Sequence, residues 1–457
     1  MTLTSTTPER IREIRGKQAR YFHSGATLDV AVRKSNLKAF EKAVLKWEKP
    51  LCDALWADLH KSYEEAYMTE ISILLGEIRT HIRKIGKWTR RTCVPTPLKM
   101  FPSRSRIISE PLGTALIISP WNYPVQLLLT PLVGAISAGC TAVLKPPYVP
   151  NVSKVIEDMI ADTFPEDYIA VTQGHRDVNA ALLEERWDII FFTGSPSLGR
   201  RVMTAAAKYL TPVVLELGGK SPCIIDKDAD INVAAKRVAW GKTLNAGQTC
   251  IAPDYLMVHE EVKDRFLEAL GKAFTELLGK NPQESGHFVR VVNDAAFERL
   301  TGYFKDGNIV FGGHTDKAER YIEPTVLDNV SPDSPVMQEE IFGPIFPVLT
   351  FRNISEVTEF VTSREKPLAL YYFGTNGDYV LKHTSSGGSC LNDTILHIAN
   401  EHVPFGGVGM SGMGSYHGKL SFDAFTHYRS NIVTPTSMDL PFRYMPYKFF
   451  KMVKSLL

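Results

Sequence analysis

Few cysteines are present in this chain of 457 residues, six in all, at positions 52, 93, 140, 223, 250 and 390. None form a CxxC pair or sit at metal-ligand spacing with histidine, so neither a disulfide framework nor a zinc site is expected. Reduced thiols in a reducing compartment are the simpler reading. Charge of one sign is also missing: 52 basic residues face 50 acidic ones, for a net charge of +2. That balance gives no reason to expect a nucleic-acid partner. No run approaches the ~20 apolar residues that cross a bilayer. The first twenty residues are polar and charged and lack the apolar core of a secretory leader. These absences lead us to expect a cytoplasmic protein. Internal repeats and low-complexity segments are absent as well.

With 44% hydrophobic residues the chain can bury sizeable cores, and its length suggests two or three domains. Residues 1–90 read as helical, beginning with a capped amphipathic segment after Thr6-Thr7-Pro8 in which Ile11 and Ile14 recur on one face. Beyond residue 105 the texture changes. Apolar runs at 113–119, 141–145, 168–172 and 188–193 alternate with helix-like stretches at 123–138, 151–163 and 197–208. Strands that are apolar throughout and separated by helices predict a parallel sheet covered on both faces. A second alternating region, with strands near 213–217, 223–225, 255–258, 309–311, 348–351 and 368–373, predicts a second α/β unit.

Several short segments carry possible chemistry. Cys250 lies in NAGQTCIAPDY (245–255), among small and polar residues, with Gly247 able to turn the backbone tightly. A thiol is a weak nucleophile at its free pKa of ~8.5 and needs a base or a positive environment; an isolated cysteine of this kind is more often structural. Glu216 follows the apolar run 213–215. A carboxylate at the end of a buried strand has its pKa raised toward neutrality, which suits a general base, while a solvated strand-edge glutamate is an equal alternative. Asn122, in IISPWNYP (117–124), either donates to an oxyanion or closes an Asx turn. Lys145 ends a strand where open parallel sheets bind ligands, unless it is a plain surface lysine. In FFTGSPSLGR (191–200) a strand passes through Gly194-Ser195 into a helix whose N-terminus suits a pyrophosphate, although the spacing is shorter than the usual dinucleotide fingerprint.

Taken in order, PWNYP, LKP, FTGS, LELGGKSP, GQTC, EEIFGP (339–344) and PFGGVGMSG (404–412) resemble the aldehyde dehydrogenase superfamily over nearly the whole chain. GQTCIAPDY is similar to the class 3 branch, which includes fatty and aromatic aldehyde dehydrogenases. The resemblance implies an α/β fold of two doubly wound domains with a small oligomerisation sheet. Residues 1–90 and 105–210 would form the cofactor domain and 211–392 the catalytic domain. Residues 91–104 and 393–435 would bridge subunits, and 436–457 would be a C-terminal extension. It implies that Cys250 is the nucleophile, that Asn122 and the Cys250 N–H form an oxyanion hole, and that Glu216 activates water. NAD or NADP would be held by Lys145, Gly194, Ser195, Gly199, Glu340, Phe342 and Trp121, with no metal. Tyr123, Leu127, Ile251, Ile398 and Phe405 would line an apolar substrate funnel. One departure stands out: Tyr148 occupies a position where the family often has a ribose-binding Glu, so NADP is expected to be tolerated. The family further implies a homodimer. The basic, apolar tail 438–457 is expected to pack on the protein or its partner subunit, with peripheral membrane contact as the alternative. A coenzyme A-acylating relative, a cofactor-free cysteine hydrolase and a catalytically silent relative are the competing functions.

Overall fold

Local signals place the first helices. Thr7 caps the helix Pro8–His23 by accepting from the Arg10 N–H, with proline in the first turn. Asp29 caps the long helix Val30–Leu59 in the same way. A third helix, Ser72–Trp88, packs beside it. The computed structural model describes residues 3–456.

Two large sheets follow. The first has six strands in the order Gly412–Met413, Val213–Leu217, Ile189–Gly194, Thr114–Ile118, Thr141–Lys145 and Ile169–Val171. All neighbours are parallel except the short outer strand Gly412–Met413. The helix Gln126–Ala138 is buried along its whole length, and the strands Thr114–Ile118 and Thr141–Lys145 are buried at every position. Burial on both faces is why these segments read as continuous apolar runs rather than alternating ones. The second sheet has seven strands, in the order Asn308–Phe311, Thr325–Asp328, Ile345–Phe351, Tyr255–His259, Pro222–Ile225, Ala369–Phe373 and Gly388–Leu391. Only Asn308–Phe311 runs antiparallel there. A third, antiparallel sheet joins Thr92–Val94, Arg104–Pro111 and Thr426–Val433.

The strand positions correct the sequence reading in several places. Val213–Leu217 lies in the first sheet, beside Ile189–Gly194, so the crossing into the second sheet falls within Gly218–Ser221 rather than at 211. Gly412–Met413, expected in a bridging segment, also joins the first sheet. Arg104–Pro111 pairs with Thr426–Val433 in the three-stranded sheet, so the first sheet begins only at Thr114. The helix expected from 123 starts at Gln126, because residues 119–125 form an irregular connection. Thr325–Asp328 and Gly388–Leu391 were not anticipated, being only four residues each. Every tail residue from 441 to 450 is exposed, so this stretch does not pack on its own chain. Among the described residues, no helix is long and apolar enough to cross a membrane.

This arrangement positions chemistry along one edge. Four adjacent parallel strands end at Lys145, at the loop carrying Asn122, at Gly194-Ser195 and at Leu217-Gly218. Ligands bind at such carboxyl edges of open sheets.

Candidate active site

Cys250 sits between the turn Leu244–Gly247 and the strand Tyr255–His259. The approach to it is strained: Asn245, Ala246 and Gly247 all take left-handed backbone angles, with φ of 50°, 51° and 71°. A non-glycine residue in this region costs on the order of 1 kcal/mol and persists only where surrounding contacts fix it. Those contacts are present and buried. The Asn245 N–H donates to Glu65 at 2.8 Å, and its side-chain amide donates to the carbonyls of Asn122 (3.1 Å) and Gln248 (2.9 Å). The Gln248 amide donates to the carbonyls of Asn245 and Arg290, both at 3.1 Å, and accepts from the Val292 N–H at 3.0 Å. At Gly247 a Cβ would collide with the Gly343 carbonyl, so only glycine fits.

The thiol faces a cavity of about 230 Å³ that Glu216 also lines. All five apolar residues expected there, Tyr123, Leu127, Ile251, Ile398 and Phe405, are on its wall. Met68, Trp240, Leu396 and Tyr416 are among its further wall residues and were not anticipated. Two hydrogen bonds brace the wall: Tyr123 Oη to Thr249 Oγ1 at 2.7 Å, and Tyr371 Oη to the Ile251 carbonyl at 2.5 Å. Burial pushes the Cys250 thiol well above its ordinary value, and the Glu340 and Glu216 carboxylates push it further. The backbone N–H groups of Cys250 and Ile251 oppose this without overcoming it. The resting thiol is therefore protonated at neutral pH.

Glu216 is an interior residue of the strand Val213–Leu217 and is 3% exposed. Both carboxyl oxygens are shut from solvent with no hydrogen-bond partner, and burial alone raises its pKa well above the usual range. The solvated strand-edge alternative is excluded. Burial raises the proton affinity of this carboxyl, so once ionised it is a stronger base than a solvated one.

Asn122 is buried, and its Nδ2 donates to the Gln248 carbonyl at 3.0 Å. A side-chain amide has two N–H donors, so one is uncommitted, although Asn122 does not itself line the cavity at Cys250. The Asn122 carbonyl accepts from Lys61 at 3.0 Å, and the fully buried Lys61 pairs with Glu70 at 2.6 Å. Nothing in the sequence flagged this pair, because charged residues in a helical stretch read as a solvated face.

A second, larger cleft of about 830 Å³ lies at the sheet edge, lined by Ser195, Arg200, Gly218, Gly219, Glu340 and Met410 among others. Ser195 caps the helix Pro196–Ala207 through Leu198 N–H at 3.4 Å, and its carbonyl takes the Gly199 N–H at 2.9 Å, which leaves the Ser197 N–H of the first turn for an anion. Glu340 has Oε1 buried without a partner, and burial together with the Asp254 charge raises its pKa to about 8. An orphaned acceptor in a roomy cleft next to a helix N-terminus fits the ribose and phosphates of a dinucleotide. Gly194 ends the strand, whereas Gly199 is turned onto Leu217, where a Cβ would stand 2.8 Å from Cδ2; it serves helix–strand contact. Lys145 is 3% exposed and donates to the Pro146 carbonyl at 2.6 Å, so it is no surface lysine. Burial lowers its pKa to about 8. Trp121 and Phe342 meet edge to face at 5.5 Å, with Phe342 held at φ 52°. Tyr148 stacks on His175 with ring centres 3.6 Å apart.

Comparison with known proteins agrees with this geometry. Residues 1–431 match the aldehyde dehydrogenase family. The chain is 48% identical over 442 residues to the 4,4'-diaponeurosporen-aldehyde dehydrogenase of Staphylococcus aureus (strain NCTC 8325 / PS 47), covering 95% of this chain and 96% of that one. It is 42% identical over 443 residues to the dimeric NADP-preferring aldehyde dehydrogenase of Canis lupus familiaris, covering 96% and 98%. A solved structure of Staphylococcus aureus AldH in a substrate-bound state superposes with a TM-score of 0.96, at 46% identity and 100% coverage of both chains. On the strength of these matches and of the two-sheet fold beneath them, the chain belongs to the aldehyde dehydrogenase family of oxidoreductases.

Proposed function

We propose that this protein oxidises apolar aldehydes, of medium or long aliphatic chain or aromatic, to carboxylic acids with NAD or NADP, through covalent attachment to Cys250. The observation that carries the reading is that Cys250 and Glu216 line one cavity whose accessible wall is almost wholly apolar.

The thiol gives up its proton to solvent, and sulfur bonds to the aldehyde carbon. The carbonyl oxygen takes the negative charge and is held by the Asn122 side chain and the Cys250 N–H. When bound in the cleft, the oxidised dinucleotide supplies the hydride acceptor. Loss of hydride from the tetrahedral carbon leaves a thioester on Cys250. Glu216 then draws a proton from water as water attacks the thioester, the C–S bond breaks, and the acid departs. Lys145 and Ser195 of the first sheet, with Glu340 from the loop that leads into Ile345–Phe351 of the second, would hold the cofactor, and Trp121 and Phe342 would flank the nicotinamide, while the second sheet carries the nucleophile. The three-stranded sheet, with Thr426–Val433 at its free edge, is the proposed homodimer contact, and the exposed tail would find its cover there.

The test is cofactor reduction with hexanal and benzaldehyde, given NAD or NADP, with Cys250→Ala as the control. Turnover with both coenzymes, abolished in the control, supports the reading. No reduction with either coenzyme across several aldehydes overturns it, and turnover that appears only on adding coenzyme A would assign the acylating chemistry instead.

A further inference from the structure

Residues 61–70 supply three buried charges that the reaction above does not use. Lys61 and Glu70 are completely buried and paired at 2.6 Å. The Lys61 ammonium also donates to the Asn122 carbonyl at 3.0 Å and lies 4.1 Å from the centre of the Tyr123 ring. The second Glu70 oxygen accepts from the N–H groups of Val125 (2.8 Å) and Gln126 (3.3 Å), where the helix Gln126–Ala138 begins. Glu65 faces the other way and accepts from the Asn245 N–H at 2.8 Å, on the strained approach to Cys250. Asn245 closes the circuit by donating to the Asn122 carbonyl at 3.1 Å. The segment can reach both sides because it bends sharply: a left-handed His60 ends one helix and a π-helical turn, Tyr67–Ile71, carries Glu70.

We infer that Lys61, Glu65 and Glu70 are positioning residues, which fix the Asn122 loop and the Cys250 loop relative to one another and so set the width of the oxyanion hole. The inference rests on the oxyanion role proposed for Asn122. Stability alone does not account for the pair, since apolar residues of similar volume commonly replace a buried ion pair with no net loss. Geometry does account for it. A misplacement of about 1 Å in a reacting group costs on the order of 100-fold in rate, and the two loops come from different sheets with no backbone pairing between them.

The test compares wild type with Lys61→Met/Glu70→Gln, a neutral pair in which Gln keeps an acceptor for the helix start while the donor to Asn122 is gone. The expected result is a Tm within a few degrees, unchanged coenzyme binding by fluorescence titration, an aldehyde KM within threefold, and a kcat reduced about 10- to 100-fold. In an Asn122→Ala background the same pair should cost less than threefold more, because the group it positions has gone. A folded variant with kcat within twofold of wild type overturns the inference, as do losses that multiply in the Asn122→Ala background. An Asn122→Ala enzyme of undiminished kcat would instead overturn the oxyanion reading, and the clamp with it. Should the paired variant not fold, Glu65→Ala tests the other arm by the same split: a loss in kcat with KM retained supports it, and full activity refutes it.

Discussion

Replacing Glu216 by Gln separates what this carboxyl does for the reaction from what it costs the fold. In the resting protein it has no hydrogen-bond partner and burial holds its pKa well above the ordinary range. For the reaction, a positioned general base contributes about 10²- to 10⁴-fold, or about 3–5 kcal/mol of barrier at 1.36 kcal/mol per tenfold. Glu216→Gln should therefore lower steady-state kcat by that factor. If the main duty of Glu216 is thioester hydrolysis, a rapid first turnover of reduced cofactor should survive. For the fold, the sign runs the other way. A carboxyl whose native pKa is raised keeps its proton after the unfolded chain has released it. Stability is then fully present below the unfolded value of ~4.3 and falls by about 1.4 kcal/mol per pH unit up to the native pKa. Gln has no proton to lose. Urea unfolding of both proteins from pH 5 to 8 should show the variant gaining on wild type by about that amount per unit. Parallel stability curves would refute the claim that Glu216 is buried without compensation. A missing first turnover would move its duty to the thiol step.

Two further outcomes follow from the same geometry. Gly247→Ala places a Cβ against the Gly343 carbonyl at a left-handed position, so a loss of about 2–4 kcal/mol is expected, read as a lowered Tm with Cys250 newly reactive to a thiol reagent; an unchanged Tm would contradict the steric argument. Lys145, lowered to about 8 by burial, loses its charge as pH rises through that value; the Kd for NADP, with its 2′-phosphate, should weaken by up to about tenfold per unit above pH 8 while that for NAD changes far less, and parallel curves for the two would remove Lys145 from the phosphate.

The parts of the site that were legible in the sequence share a physical reason. Glu216, Ser195 and Lys145 each lie at or just past the end of a strongly apolar strand, and Cys250 lies among small residues ahead of one. The period of the strands located the sheet edge, and the sheet edge located the ligands. The five expected wall residues were placed by the resemblance to the aldehyde dehydrogenase family and by no local pattern of their own. Lys61, Glu65 and Glu70 had no such signal. Their burial is decided by contacts to Asn122 and Asn245, 61 and 180 residues away from Lys61 and Glu65 respectively. Within a helical stretch dense in Glu and Lys, three buried charges look the same as three solvated ones.

The domain boundary failed for a related cause, and the failure bears on how the site works. Val213–Leu217 and Pro222–Ile225 are neighbours in sequence and both apolar, so their pattern reads as one unit. Hydrogen bonding assigns them to different sheets. The chain changes sheets across Gly218-Gly219-Lys220-Ser221, and Gly218, Gly219 and Lys220 line the large cleft. Lys220 is tethered there by Asp254 and by the carbonyls of Val336 (2.8 Å) and Glu339 (2.9 Å), which holds the segment bearing Glu340 against the crossing. Glu216 thus comes from one sheet and Cys250 from a loop of the other, with the large cleft at the crossing between the sheets. Any relative movement of the two sheets would alter the approach of Glu216 to Cys250 and the width of the cofactor cleft together. The Lys220 contacts fix the crossing, and with it the placing of Glu216 and Cys250 on one cavity wall that the proposed covalent steps require.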